Sequence, residues 1–511
     1  MAVKTMKEMI PLLVKGLDTS GPASFIDPRA SSDMQNMRVE RTQIKKKEGY
    51  SKLGATLDGE VVLLGEFDRE GIKYFFAVTT TEFYYWNNAG AVWVNYTGAG
   101  LALSGVVTQA CSYSVAKISG KNILVFTNYI DPIKKWLGST NDIADLGGNP
   151  PKPKYMLGFN RFLLLAYIKS GVNIYPERVQ WSDYDDPESW TEGVASNAGS
   201  QDLDDGREIT GIFRLGNNAI VSKDNSIWLG YLTGDDRVWQ FESVERRLGF
   251  LVGNTIQAIP GALALGLSKH GIIQFNGLRG QLVVPGIFDD LRDYANPQYI
   301  HKSFATVVAE LNEYWLFIPI RGQNYPTRLY RYNYVTGQVY KDLVTNLTAA
   351  GLWTNVQKTL IDSLTGTINS YTGVFDDVIT DSFYPVLALG DKDSKVYTFD
   401  YDLTNENGVA IDSYWCSSDI VANPGYYSHW TVVYFEGLGN AVSVYYSTDE
   451  GSTYTLLETI TLTSSIATYT IYCDIFAEKF RIKVANSTIS STFTMRNLYY
   501  KPPIKREAIE R

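Results

Sequence analysis

Val179-Gln180-Trp181-Ser182-Asp183-Tyr184-Asp185-Asp186-Pro187-Glu188-Ser189-Trp190-Thr191 starts as a strand and ends as a turn. Val179 and Trp181 alternate with polar neighbours, the period-two pattern of a half-buried strand. Asp185-Asp186-Pro187 stops it, because proline has no N–H for the ladder and steers the residue before it away from helix. Trp190 returns as an apolar anchor beyond the turn. A strand closed by an acidic turn and pinned by two tryptophans reads as the outer part of a propeller blade. Trp181, Ser182, Asp183, Asp186, Pro187 and Trp190 are therefore expected to be structural.

Units of the same kind recur on both sides. Strands at 61–67 and 73–78 precede Phe83-Tyr84-Tyr85-Trp86, and 122–127 precedes Lys134-Lys135-Trp136-Leu137. The pattern repeats at 161–167 with Val179-Gln180-Trp181, at 218–223 with Ser226-Ile227-Trp228-Leu229, and at 262–268 with Gly271 to Phe275. Two further units run over 313–333 and 384–399. The aromatics Trp86, Trp136, Trp181, Trp228 and Phe275 recur at about 45–50 residues, the range of propeller blades. One four-stranded blade cannot bury both faces alone, and a ring of blades does so. The expected fold is all-β: a β-propeller of six or seven blades over 56–405. Two β-sandwiches with coincidental spacing are the alternative. The polar stretch 346–377 reads as an insertion.

Residues 1–55 are not blade-like and read as an extended, turn-rich N-terminal arm with a strand pair at 38–49. Its run Lys45-Lys46-Lys47 fits a solvated turn, or, more sharply, a phosphate contact. After 405 the strands alternate cleanly between turn signals, which predicts a C-terminal antiparallel β-sandwich over 406–500. Inside it, Ser447-Thr448-Asp449-Glu450-Gly451-Ser452-Thr453-Tyr454 fits an Asp-box hairpin. Asp449 and Gly451 shape the turn and Tyr454 packs beneath it. Residues 501–511 read as an exposed tail.

Composition narrows function mainly by exclusion. The 511 residues carry 13% aromatics, 43 Gly and a net charge of −9. That balance argues against a dedicated nucleic-acid binder but suits a channel through which DNA slides without sticking. Three Cys without a CxxC pair and three isolated His speak against a disulfide framework, a metal site or general-base chemistry. No apolar run is long enough for a membrane span, and the N-terminus does not read as a signal peptide.

Glycoside hydrolysis needs two carboxylates at a set separation. Asp183, Asp185, Asp186, Glu188, Asp202, Asp204 and Asp205 supply candidates, although acidic residues in turns are usually turn formers. Asp202-Leu203-Asp204-Asp205-Gly206 resembles a calcium loop but lacks its bidentate Glu. No GxSxG, HExxH or Walker A motif is present. No catalytic residue and no cofactor or metal is expected.

Two stretches together resemble the tail nozzle, or packaged-DNA stabilisation, proteins of short-tailed bacteriophages. One is the arm Gly16-Leu17-Asp18-Thr19, Ala30 to Val39 with its Asn36-Met37-Arg38-Val39, and Lys47-Glu48-Gly49-Tyr50. The other is Gln180 to Trp190. The resemblance covers roughly 15–400; the C-terminal sandwich and 346–377 depart from it. It implies a homohexameric ring under the portal and the adaptor, or head-to-tail connector. Tail fibre, spike or needle proteins would be further neighbours. The ring would close the tail, retain the genome and pass it without sequence-specific binding during ejection. The protein would then reside in the virion tail after synthesis in the bacterial host cytoplasm, with no enzymatic activity. A carbohydrate-binding or glycan-cleaving propeller acting on host surface polysaccharide is the alternative, since aromatic faces stack on sugars.

Overall fold

The computed structural model describes residues 8–10, 15–40, 42–105, 111–138, 141–354, 385–422 and 424–503. From Val61 onward the chain lays down one antiparallel four-stranded sheet after another, each in sequence order. The first comprises Val61–Arg69, Ile72–Thr79, Phe83–Asn87 and Val92–Asn95. The second begins at Ser112–Ile118, the third at Lys152–Phe159, the fourth at Ile209–Leu215, the fifth at Gln257–Ile259 and the sixth at Phe304–Val308. In the first five sheets the aromatic segments that carry the repeat all lie on the third strand. Their second strands are nearly all buried, as in Leu163 to Ala166 and Ala219 to Lys223.

The seventh sheet is built from both ends of the chain. Leu347–Trp353, Val386–Asp391 and Val396–Asp400 supply three strands, and Gly49–Lys52 supplies the fourth, with Tyr50 opposite Phe399. A Cβ on Gly49 would lie 1.8 Å from the Asn405 carbonyl oxygen, so only glycine fits there. Two expectations are corrected here. The end of the arm is a sheet strand, because its backbone groups pair with the last sheet of the series. The polar stretch at 346 does not open as an insertion: Leu347 to Trp353 alternates inward and outward as a strand. Residues 355–384 lie outside the described residues.

First strands of neighbouring sheets pack on each other, except that the fourth meets Gly253–Thr255 ahead of the fifth, and the first strand of the seventh sheet packs on that of the first. Phe75 stacks on Trp353 across this last contact, with ring centroids 5.3 Å apart. Glycine permits the approach, since a Cβ on Gly351 would meet the Leu64 backbone at 2.6 Å.

Two further sheets follow. An eighth holds Asp33–Gln35, Ser413–Cys416, Arg481–Asn486, Ala441–Ser447 and Thr455–Thr461. A ninth holds Met37–Glu40, Gln43–Lys46, Phe493–Tyr500, Ser428–Gly439 and Ala467–Ala477, with Glu8–Ile10 paired to Phe493–Tyr500. Trp415, Trp430, Phe435, Val444, Ile482 and Phe493 share one core, and that core runs on into Leu265, Tyr314 and Tyr330 of the fifth and sixth sheets.

The arm joins the parts. Leu17 donates to the Val339 carbonyl at 2.8 Å, and Ser31 Oγ donates to the Cys416 carbonyl at 2.8 Å. Asn36 donates to the Asp412 carbonyl at 2.6 Å and accepts from the Leu343 N–H at 3.0 Å. The three lysines form neither a solvated turn nor an open phosphate contact. Lys46 is 1% exposed and donates to Asn486 Oδ1 at 2.7 Å. Lys47 pairs with Glu406 at 2.7 Å, and Lys45 pairs with Glu48 at 3.0 Å. Their place between paired strands explains this: each long stem covers apolar surface while its head finds an acceptor. Of the expected tail, Lys501 to Pro503 is half-buried, and 504–511 lies outside the described residues.

Candidate functional site

The residues singled out from sequence are consumed by structure. Trp181 ends the third strand of its sheet and donates from Nε1 to the Asn197 carbonyl at 2.9 Å. The Leu163 N–H donates to Ser182 Oγ at 3.1 Å. Asp183 Oδ1 accepts from the Tyr184 N–H, the Asn197 N–H and the Asn197 amide at 2.7–3.0 Å. These hydrogen bonds hold its carboxyl below the usual range against the opposing effect of desolvation. Asp186 Oδ1 accepts from the Glu188 N–H at 3.0 Å, and the Pro187 carbonyl accepts from Trp190 Nε1 at 2.9 Å. Trp190 then sits in the core between the second and third sheets. Glu188 pairs with Lys135 of the second sheet at 2.5 Å. The stretch is thus a staple between adjacent sheets.

Two of the other acidic candidates are engaged as well, whereas Asp204 is exposed and Asp185 lies 3.8 Å from Arg161 with its Oδ1 buried and unpartnered among the described residues. Asp202 forms a bidentate pair with Arg178 at 2.6 and 2.8 Å. Asp205 accepts from the fully buried Lys223 and from Ser226. In the hairpin, Asp449 accepts from Ser447 Oγ at 2.7 Å, the Thr453 N–H at 2.9 Å and Thr453 Oγ1 at 2.6 Å. Those bonds drive its carboxyl far below the usual range. Gly451 adopts φ +91°, and Tyr454 donates to Cys416 Sγ at 3.4 Å.

Sequence reasoning missed a cavity of about 480 Å³ to which all seven sheets contribute. Glu60 and Val62 enter from the first sheet, Cys111 and Tyr129 from the second, and Lys154 and Tyr155 from the third. Glu208, Asn254, Lys302 with Tyr325, and Thr348 continue the wall through the seventh. Gly253 permits close approach of the fourth and fifth sheets, since a Cβ there would meet the Thr210 carbonyl at 2.4 Å. The signal for these residues is weak in sequence: most lie at or just beyond a strand end, and they fall near one another only when the sheets assemble.

The cavity's electrostatics are unusual. Lys154 Nζ lies 3.4 Å from the Tyr167 ring centroid, and Lys302 Nζ lies 3.8 Å from that of Tyr325. Among the described residues neither lysine has a carboxylate within ion-pair distance. Burial pushes both ammonium groups down, opposed by the charge of Glu208 at Lys154 and of Glu60 at Lys302, and burial with the charges of Lys302 and Lys154 also lowers His301. Tyr325 Oη donates to Glu60 Oε2 at 3.1 Å, while Glu60 Oε1 and Tyr129 Oη are buried without a partner among the described residues. Burial raises the Glu60 carboxyl to about 7 and, with Glu60 beside it, the Cys111 thiol to about 12. A thiol so raised is inert at neutral pH. Polar groups of both signs with unspent hydrogen-bonding capacity are the marks of a ligand pocket.

The architecture defines an all-β protein of serial four-stranded antiparallel sheets with a further pair of sheets at the chain ends. No helix among the described residues is long and apolar enough to cross a membrane. No family model matches the chain, and the comparison with curated proteins gives no match. Similar solved structures include mutants of a family 29 carbohydrate-binding module. One has TM-score 0.15 and 15% identity, covering 19% of this chain and 65% of the module. Another, solved with cellulohexaose, has TM-score 0.15 and 14% identity, covering 19% and 64%. A likeness this small bears on neither fold nor function.

Proposed function

We propose that the seven serial sheets are the blades of a β-propeller, that the eighth and ninth form a β-sandwich, and that the protein is a non-enzymatic structural component of a bacteriophage tail. Copies of the chain assemble into a closed ring, six by the resemblance. The ring retains packaged DNA and passes it on ejection, between the connector above and fibre, spike or needle proteins below. The DNA path runs between copies. A cavity of about 480 Å³ admits no duplex, whose major groove alone is about 12 Å wide.

The observation that carries the assembly is an open sheet edge flanked by aromatics. Ala467–Ala477 pairs with Ser428–Gly439 on one side, and no strand among the described residues pairs with its other side. Tyr472 is 79% exposed and Phe476 63%, with Tyr427 stacked on Phe476 at 5.3 Å. An exposed edge with an apolar patch is a pairing surface, and native chains cover one. A second copy of this chain is the occupant, and the ring closes where this edge meets a different surface of the next copy, a heterologous contact. Within the chain, Lys47 and Tyr50 of the arm motif fasten the seventh sheet to the terminal sheets.

The test is particle mass and two-dimensional class averaging of the full chain, alone and with the connector protein. A ring with a bore wide enough for a duplex is expected, and the double variant Tyr472→Glu, Phe476→Glu should shift the mass to single chains. A monomer under both conditions overturns the proposal.

A further inference from the structure

We infer that the cavity shared by the seven sheets binds a small sugar acid, a mono- or disaccharide carrying one carboxylate. Two observations fix the charge. Lys154 and Lys302 face the cavity with aromatic rings behind them and no carboxylate within ion-pair distance. Elsewhere in the chain the buried lysines Lys46, Lys47, Lys134 and Lys223 all donate to carboxylates, amides or carbonyls. Both lysines are only partly buried, and an ammonium group that faces a cavity without an ion-pair partner is free to take an anion there. His301 lines the same cavity as the two lysines.

The same wall limits how much negative charge enters. Glu60 and Glu208 also line it, so a polyanion such as a nucleoside polyphosphate meets repulsion. A single carboxylate satisfies the lysines, and the ligand's hydroxyl groups suit the carboxyl acceptors. Tyr129, Tyr155 and Tyr325 supply ring surface and hydroxyl groups, the usual partners of a sugar's apolar face and polar rim. About 480 Å³ lies within the ~300–1,000 Å³ of small-molecule sites. The inference does not depend on ring assembly, and the assembly does not depend on it.

Isothermal titration calorimetry of the full chain at low salt and pH 6.5 tests it, with glucuronate, glucose, acetate and inorganic phosphate as probes. Saturable binding of glucuronate is expected, with glucose and acetate at least about ten-fold weaker. Lys302→Met and Lys154→Met should each weaken glucuronate about five-fold or more while the unfolding midpoint holds. No saturable glucuronate binding overturns the inference. So does equal binding of glucose, which would mean the carboxylate is not read, or tighter binding of phosphate, which would mark a plain anion site. Binding unchanged in both lysine variants would locate the ligand elsewhere and overturn it equally.

Discussion

The turn at 183–191 and the cavity between the seven sheets are made of the same residue types, and they differ in what those residues have left to give. In the turn, Asp183 accepts three N–H groups and Glu188 holds Lys135. In the cavity, Lys154 and Lys302 lie on tyrosine rings, and one oxygen of Glu60 has no donor. Acidic and aromatic density alone therefore says little about function. Even the turn is incomplete, since Asp185 Oδ1 is buried without a partner among the described residues; what sets the cavity apart is that unpaired groups of both signs line one shared space.

The sharpest way to break this contrast is to remove the staple. Trp190→Ala deletes a buried indole and its bond to the Pro187 carbonyl between two sheets, and should cost about 3–5 kcal/mol. A chemical denaturation series reads the loss, and ligand titration should show an unaltered cavity in the surviving folded fraction. A stability change below about 1 kcal/mol would mean that the turn does not staple the sheets. The next effect is smaller. Lys46→Met removes a buried charge but leaves Asn486 Oδ1 without its donor, and should cost about 1–3 kcal/mol by the same measurement. Lys154→Met and Lys302→Met form the counterpart. They remove charges that make no ion pair and feel only the longer-range attraction of Glu208 and Glu60, so stability should hold or rise by up to about 1 kcal/mol. A loss equal to that of Lys46→Met would erase the distinction between the regions.

The sequence made the sheets legible where the signal was local. Trp86, Trp136, Trp181 and Trp228 mark the third strands because apolar residues in a stacked sheet recur with the repeat itself. Partnerships between the chain ends left no such trace. Gly49-Tyr50 pairs with Asp400 and Phe399, and nothing in its neighbourhood announces that partner. Lys45-Lys46-Lys47 read as solvated because charge patterning records type and not environment, while Asn486 and Glu406 arrive from the distant C-terminal part. Leu347 to Trp353 was hidden by the polar composition that follows it. Cavity residues failed for a further reason: sheets contribute them one or two at a time, so Lys154 looks like any surface lysine until the other walls are present. The Asp-box hairpin lies at the opposite extreme, with its turn, acceptor and glycine inside eight residues.

The finest test concerns the unpaired oxygen of Glu60. Burial raises this carboxyl from its ordinary range to about 7, partly opposed by the Tyr325 hydrogen bond and by the charges of Lys302 and Lys392, with Asp391 acting in the same direction as burial. The native state thus holds the proton more tightly than the unfolded chain does. Stability from this group is present in full below about pH 4.5, declines as pH rises toward 7, and is flat above that. The carboxyl is partly exposed, so screening reduces the decline to about 1 kcal/mol. His301 contributes a trend of opposite sign, because burial lowers its protonation in the native state. The curve of wild type minus Glu60→Gln isolates the glutamate from it. That difference should fall between pH 4.5 and 7 in urea unfolding. A flat difference would mean that Glu60 is as well compensated as Asp183 and Glu188 of the turn, and that the cavity wall carries no unspent charge at this position.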